Sequence, residues 1–102
     1  MARRNTAERH DQLLRELNEE RAAALTRISR TLESLIGQLV AARERLGRAV
    51  GEGRTAQLAA YRELRRQAHT YRWYLEVQRE ALGFRQHRLL DDFYVIPGPI
   101  EE

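Results

Sequence analysis

The sequence predicts an all-α protein folded as a long antiparallel two-helix hairpin, and three observations carry that reading. Alanine, leucine, arginine and glutamate, all good helix formers, dominate the 102 residues. The chain's two prolines, Pro97 and Pro99, stand close to its end, so everything before them lacks the residue that most strongly breaks helices. Near the middle, "GEGRT" at Gly51 to Thr55 concentrates turn-forming glycines between two stretches of helical periodicity.

The first helix is expected from about residue 6 to 50. Thr6 is a candidate N-cap, with Glu8 in the first turn, where a carboxylate favours the helix dipole. From Leu25 onward an apolar seam runs through Ile28, Leu32, Leu35, Leu39, Ala42, Leu46 and Ala49, at alternating spacings of three and four with no polar member. That is the pattern of a coiled-coil seam. Ile36, Val40 and Val50 lie beside it and widen the stripe, so this helix calls for more than one neighbour.

Residues 51–54 are expected to form the turn, with glycine at a left-handed helix end and Thr55 as the next N-cap. So short a connection joins antiparallel neighbours. The second helix is expected over about 55–93, with a seam at Tyr61, Leu64, Ala68, Tyr71, Leu75, Gln78, Leu82, Arg85 and Leu89. Its polar members, Gln78 and Arg85, fall late in the helix. They face Asn18 and Arg21 on helix one, so both seams become polar at the open end of the hairpin. Pairing of Glu16, Glu19 and Glu20 with Arg85 and Arg88 would make this a solvated ending, and a partner site or register-fixing polar layer is the sharper alternative. Residues 94–102 form an irregular tail, because "IPGP" enforces an extended or turning exit. Its apolar residues suit packing over the hairpin's open end or a neighbouring chain, or docking to another protein.

The stretch "HTYRWYLEVQRE" sets the functional question. Successive helix positions are about 100° apart, so Tyr71, Trp73 and Tyr74 cannot share one face. Tyr71 belongs to the hairpin seam, whereas Trp73 points well away from it, in line with Val77 and Phe84. Soluble monomers rarely expose a large contiguous apolar patch without a reason. A second hairpin completing a four-helix bundle about a two-fold axis would cover this stripe. Tyr71, Trp73, Tyr74, Val77, Phe84, Phe93 and Tyr94 are therefore the expected interface residues of a homodimer, with a further protein partner able to engage the open end and tail.

Nucleic acid is the competing partner. All 18 basic residues of the lysine–arginine class are arginine. A GC-rich genome accounts for this more readily than selection for bidentate anion binding does. Residues 54–88 carry a balance of +5, and the acidic end (Asp91, Asp92, Glu101, Glu102) carries −4, so the overall +3 conceals a basic second half. Arg62, Arg65, Arg66 and Arg72 are close enough in sequence to form a patch beside the aromatics. Such interleaving can grip phosphates and stack unpaired bases.

Catalysis draws no support. Without cysteine there are no disulfides, thiolate metal sites or cysteine nucleophiles. Neither Ser29 nor Ser34 sits in a nucleophile elbow, and "GEG" is too short for a phosphate loop. Glu76, Glu80, His87 and Asp91 share a face of a continuous helix, but the Glu-x-x-His pair of di-iron bundles is missing, so no metal site or cofactor is expected. The charged N-terminus and the lack of a long apolar run argue against a secretion signal and a membrane span. The expectation is a cytoplasmic, non-catalytic helical-hairpin interaction or scaffold protein.

Overall fold

The structure, a computed structural model, describes the backbone of residues 2–101 and the side chains of residues 5–101. Glu102, counted above with the acidic end, lies outside the described residues. Three helices follow one another: α1 (Ala2–Leu46), α2 (Gly51–Ala81) and the short α3 (Arg88–Phe93). The first two pack antiparallel into an elongated body of 75 × 23 × 14 Å.

The seam of α1 forms the core as its spacing predicts. Leu32, Leu35, Leu39, Ala42 and Leu46 are buried against Leu58, Tyr61, Ala68 and Leu75 of α2. Leu25, Ile28, Ile36, Leu64 and Tyr71 flank them, partly buried. Each fully buried leucine contributes about 1.5–3 kcal/mol relative to an exposed one, and the row of them drives the two helices together.

The turn lies earlier than the glycine cluster suggests. α1 ends at Leu46 and residues 47–50 reverse the chain, leaving Val50 exposed in extended backbone as the cap of α2. Gly51 opens α2 with φ of 63°, a left-handed conformation that suits glycine. Thr55 is not the cap; its hydroxyl donates back to the Gly51 carbonyl inside the first turn. Arg54 closes the joint, its Nη1 donating to the Leu46 carbonyl at 2.7 Å, where a cation also complements the α1 dipole. Thr6, similarly, lies within α1 and not at its start.

The second helix is not continuous to Phe93. It stops at Ala81 in a Schellman motif. The Phe84 amide donates to the Arg79 carbonyl and the Gly83 amide to the Glu80 carbonyl, both at 3.0 Å, with Gly83 at φ of 96°. The break resets the helical phase: Leu90 is buried at 4% exposure, whereas Leu89, the member expected in the seam, is 60% exposed.

After α3 the chain turns back along α2 as an extended strap. Tyr94, Ile96 and Ile100 pack against the core, while the intervening Val95 faces outward. This every-second-residue alternation belongs to extended backbone, which the two prolines favour. The Tyr61 hydroxyl donates to the Gly98 carbonyl at 2.6 Å and Arg65 Nε to the Pro97 carbonyl at 3.0 Å. The strap therefore packs on its own hairpin, reaching well past the open end.

At the other extreme α1 outruns its partner. Arg21 Nη1 donates to the Ala81 carbonyl, the last of α2, at 3.2 Å, so the turns of α1 before Arg21 extend beyond α2. Leu13, Leu14 and Leu17 lie in that overhang, 62%, 45% and 38% exposed.

Candidate binding groove on the second helix

Arg62, Arg66, His69 and Trp73 follow one another along α2 at spacings of four, three and four, a single face of the helix. That face is opposite the one carrying Leu64, Ala68, Tyr71 and Leu75 into the core, so it looks outward. Trp73 is 58% exposed and its ring leans on Tyr74, with centroids 5.5 Å apart. Tyr74 in turn meets the edge of Tyr71 at 5.3 Å. The aromatic cluster thus grades from the core outward, with Tyr71 partly buried and Trp73 outermost.

The strap turns this outward face into a groove. Tyr61, Arg62, Arg65, Arg66, His69, Thr70 and Trp73 form the α2 side and Pro99 and Ile100 the opposite side of a depression of about 580 Å³. A second depression of about 480 Å³ continues on the other side of Trp73, lined also by His69, Arg72, Glu76, Asp91, Tyr94, Val95 and Ile96. Trp73 and His69 line both.

The four arginines expected to contact nucleic acid have different roles here. Arg72 is held between Glu76 at 2.5 Å and Asp91 at 2.8 Å, tying α3 to α2. Desolvation opposes its charge, but the hydrogen bonds it donates to Asp91 and Glu76 outweigh it and keep the guanidinium firmly protonated. Arg65 commits Nε to the strap. Arg66 commits Nε and Nη2 to Glu63, whose carboxyl is pulled down to about 2 by that hydrogen bond first and by Gln67 next. Arg62 is exposed on the same face. His69 is held below its ordinary pKa, first by partial burial and then by the positive fields of Arg65 and Arg72. The first depression is thus cationic, whereas Glu76 and Asp91 neutralise the second.

Of the expected interface residues, Tyr71 and Tyr94 pack against the chain's own core, while Trp73, Tyr74, Val77, Phe84 and Phe93 are exposed. Phe84 has left the α2 stripe because the helix ends before it. Its ring lies under the Arg79 guanidinium, 4.4 Å from the centroid, and Arg79 also donates to the Gln86 carbonyl. The candidate metal face is likewise broken up: His87 pairs with Glu80 at 3.1 Å, Asp91 turns to Arg72, and no metal-holding group of three or more such side chains converges among the described residues. No helix among the described residues is long and apolar enough to cross a membrane.

Two features escaped the periodicity. The strap's contribution to the groove depends on a reversal at Gly83, signalled by a single glycine inside an otherwise helical pattern. The overhang leucines sit ahead of the strong seam and became visible only once the end of α2 was located.

Fold and site together define a helical hairpin with a strapped groove. The chain matches no protein-family model, no curated protein and no solved structure.

Proposed function

We propose that this chain is a non-catalytic interaction protein that acts through protein–protein contacts as a homodimer, two hairpins joining into a four-helix assembly. The observation that carries this reading is the overhang of α1. A helix end without a neighbour keeps Leu13, Leu14 and Leu17 in water. Isolated helical turns are marginal, and helices in proteins depend chiefly on packing of an apolar face. A second copy supplies that packing when its open end, with exposed Tyr74, Val77 and Phe84, lies along the overhang.

Light scattering coupled to size-exclusion chromatography tests this directly. Wild type should elute at twice the chain mass of 12.0 kDa, and a Leu13→Ser/Leu17→Ser double variant at the chain mass with its hairpin helicity retained. A wild-type monomer across the accessible concentration range would sink the proposal. Absorbance at 260 nm recorded in the same run reports any co-eluting nucleic acid. Binding of a long nucleic acid along α2 draws less support, because Arg72 is held by two carboxylates and Arg65 and Arg66 each commit part of their donors within the chain.

A further inference from the structure

We infer that the groove between α2 and the strap is a binding site for a compact phosphate monoester carried on a flat ring, a ligand the size of a mononucleotide. Three features of the groove lead there.

The first is charge. Arg62, Arg65, Arg66 and His69 line the depression and, among the described residues, no aspartate or glutamate does. A guanidinium offers five N–H donors in a planar fork, and arginine is the side chain best matched to phosphate oxygens. The internal bonds of Arg65 and Arg66 engage Nε of the first and Nε and Nη2 of the second, so both retain donors, and Arg62 contributes a third fork. Protonation of His69 is disfavoured first by partial burial and then by the fields of Arg65 and Arg72, so the imidazole adds a neutral ring rather than a further charge.

The second is the apolar wall. Trp73 presents an exposed indole at one end of the depression, and Pro99 and Ile100 form the facing side. A planar ring can stack on an exposed indole as bases stack on aromatic side chains, without regard to the ring's identity. A phosphate beside such a surface calls for a ligand with both an anionic and a planar end.

The third is extent. From Arg62 to Arg66 the guanidinium-bearing positions span roughly 6 Å of helix axis at 1.5 Å per residue. Beyond Trp73 the second depression carries Arg72 already paired with Glu76 and Asp91, so its lining offers a further phosphate no unopposed guanidinium among the described residues. The unopposed cationic surface therefore ends after about one nucleotide, which disfavours a polynucleotide track along α2. The volume of about 580 Å³ is ample for a ligand of this class.

Trp73 is the chain's single tryptophan, so its fluorescence reports on the groove without a label. The experiment titrates the full chain with adenosine 5′-monophosphate, phenyl phosphate, adenosine, inorganic phosphate and oligothymidylates of increasing length. Saturable quenching by the two ring-bearing phosphates, at least tenfold tighter than by adenosine or inorganic phosphate, is the expected result. Arg62→Ala, on an exposed position that leaves the core untouched, should weaken binding by about tenfold, the loss of one charge-assisted contact. The Leu13→Ser/Leu17→Ser variant should bind as wild type does, which separates this site from the proposed dimer. Equal binding of adenosine, equal binding of inorganic phosphate, affinity that climbs with oligonucleotide length, or no saturable quenching by any probe would each overturn the inference.

Discussion

Replacing Tyr61 by phenylalanine isolates the link between hairpin and strap. Tyr61 is fully buried, and its hydroxyl donates to the Gly98 carbonyl at 2.6 Å. Phenylalanine keeps the ring and its packing among the core leucines, so no large cavity forms. The cost is then a single hydrogen bond, about 0.5–1.5 kcal/mol. It should fall toward the lower half of that range, because Gly98 is exposed and its carbonyl can turn to water. Tyr61→Ala would add the loss of a buried aromatic side chain, about 3–5 kcal/mol in all. For a chain of this size 1 kcal/mol corresponds to roughly 4–8 °C in Tm. Thermal melts of wild type, Tyr61→Phe and Tyr61→Ala should therefore descend in two unequal steps. Limited chymotrypsin digestion should show faster cleavage after Phe93 and Tyr94, at the start of the strap, in Tyr61→Phe while the α1 seam keeps its resistance. An unchanged melt together with unchanged cleavage there would refute the reasoning, since the strap would then be held without this bond.

Further expectations follow from other parts of the structure. Gly83→Ala forces a side chain into a left-handed conformation and should destabilise the chain by about 1–2 kcal/mol in a denaturant titration. Leu39→Ala, at a fully buried seam position, should cost about 2–5 kcal/mol by the same assay. Gln57 Oε1 is buried without a hydrogen-bond partner, so Gln57→Leu should raise the denaturation midpoint, reflecting a gain of up to about 1 kcal/mol. The depressed pKa of His69 means that the unfolded chain takes up its proton first as pH falls, so stability is present above the ordinary histidine range and declines below it. Arg65 and Arg72 oppose the imidazolium, and the carboxylates of Glu76 and Asp91 across the second depression are the groups that could offset them. Melts at pH 7.5 and 5.5 should show a smaller loss on acidification in His69→Gln than in wild type.

How far the structure could be read from the sequence depended on whether a feature repeats. The α1 seam from Leu25 to Leu46 is a regular signal, and every member of it is buried or half-buried. The two-helix architecture follows from that regularity. Single-residue events were less legible. Gly51 and Gly53 mark the neighbourhood of the turn, but Gly47 stands equally close to it, and burial of Leu46 rather than Val50 decides where α1 stops. Gly83 carries the break in α2 alone, and a lone glycine is compatible with an uninterrupted helix until the partner's length is known. The aromatic cluster showed its divergence in the sequence, through the 100° step between Tyr71, Trp73 and Tyr74. The same four arginines that looked like one patch take different partners, because only the folded chain brings Asp91 of α3 against Arg72 and Pro97 of the strap against Arg65.

The strap's placement also orders the folding of the chain. Contacts beside the turn join residues close in sequence, as Arg54 and Leu46 do, whereas Arg21 and Ala81 are 60 positions apart at the open end. Loop closure costs least near the turn, so the helices should zip together from Leu46 and Leu58 outward. Ile96 and Ile100 pack against a core to which both helices contribute, so the strap gains its full seat only after they have docked. Substitutions around Leu46 and Leu58 should then slow folding, while those at Tyr94, Ile96 or Ile100 should leave the folding rate near its wild-type value and accelerate unfolding. The last segment to arrive is the first to leave, and the chain's kinetic lifetime is governed from its C-terminal side.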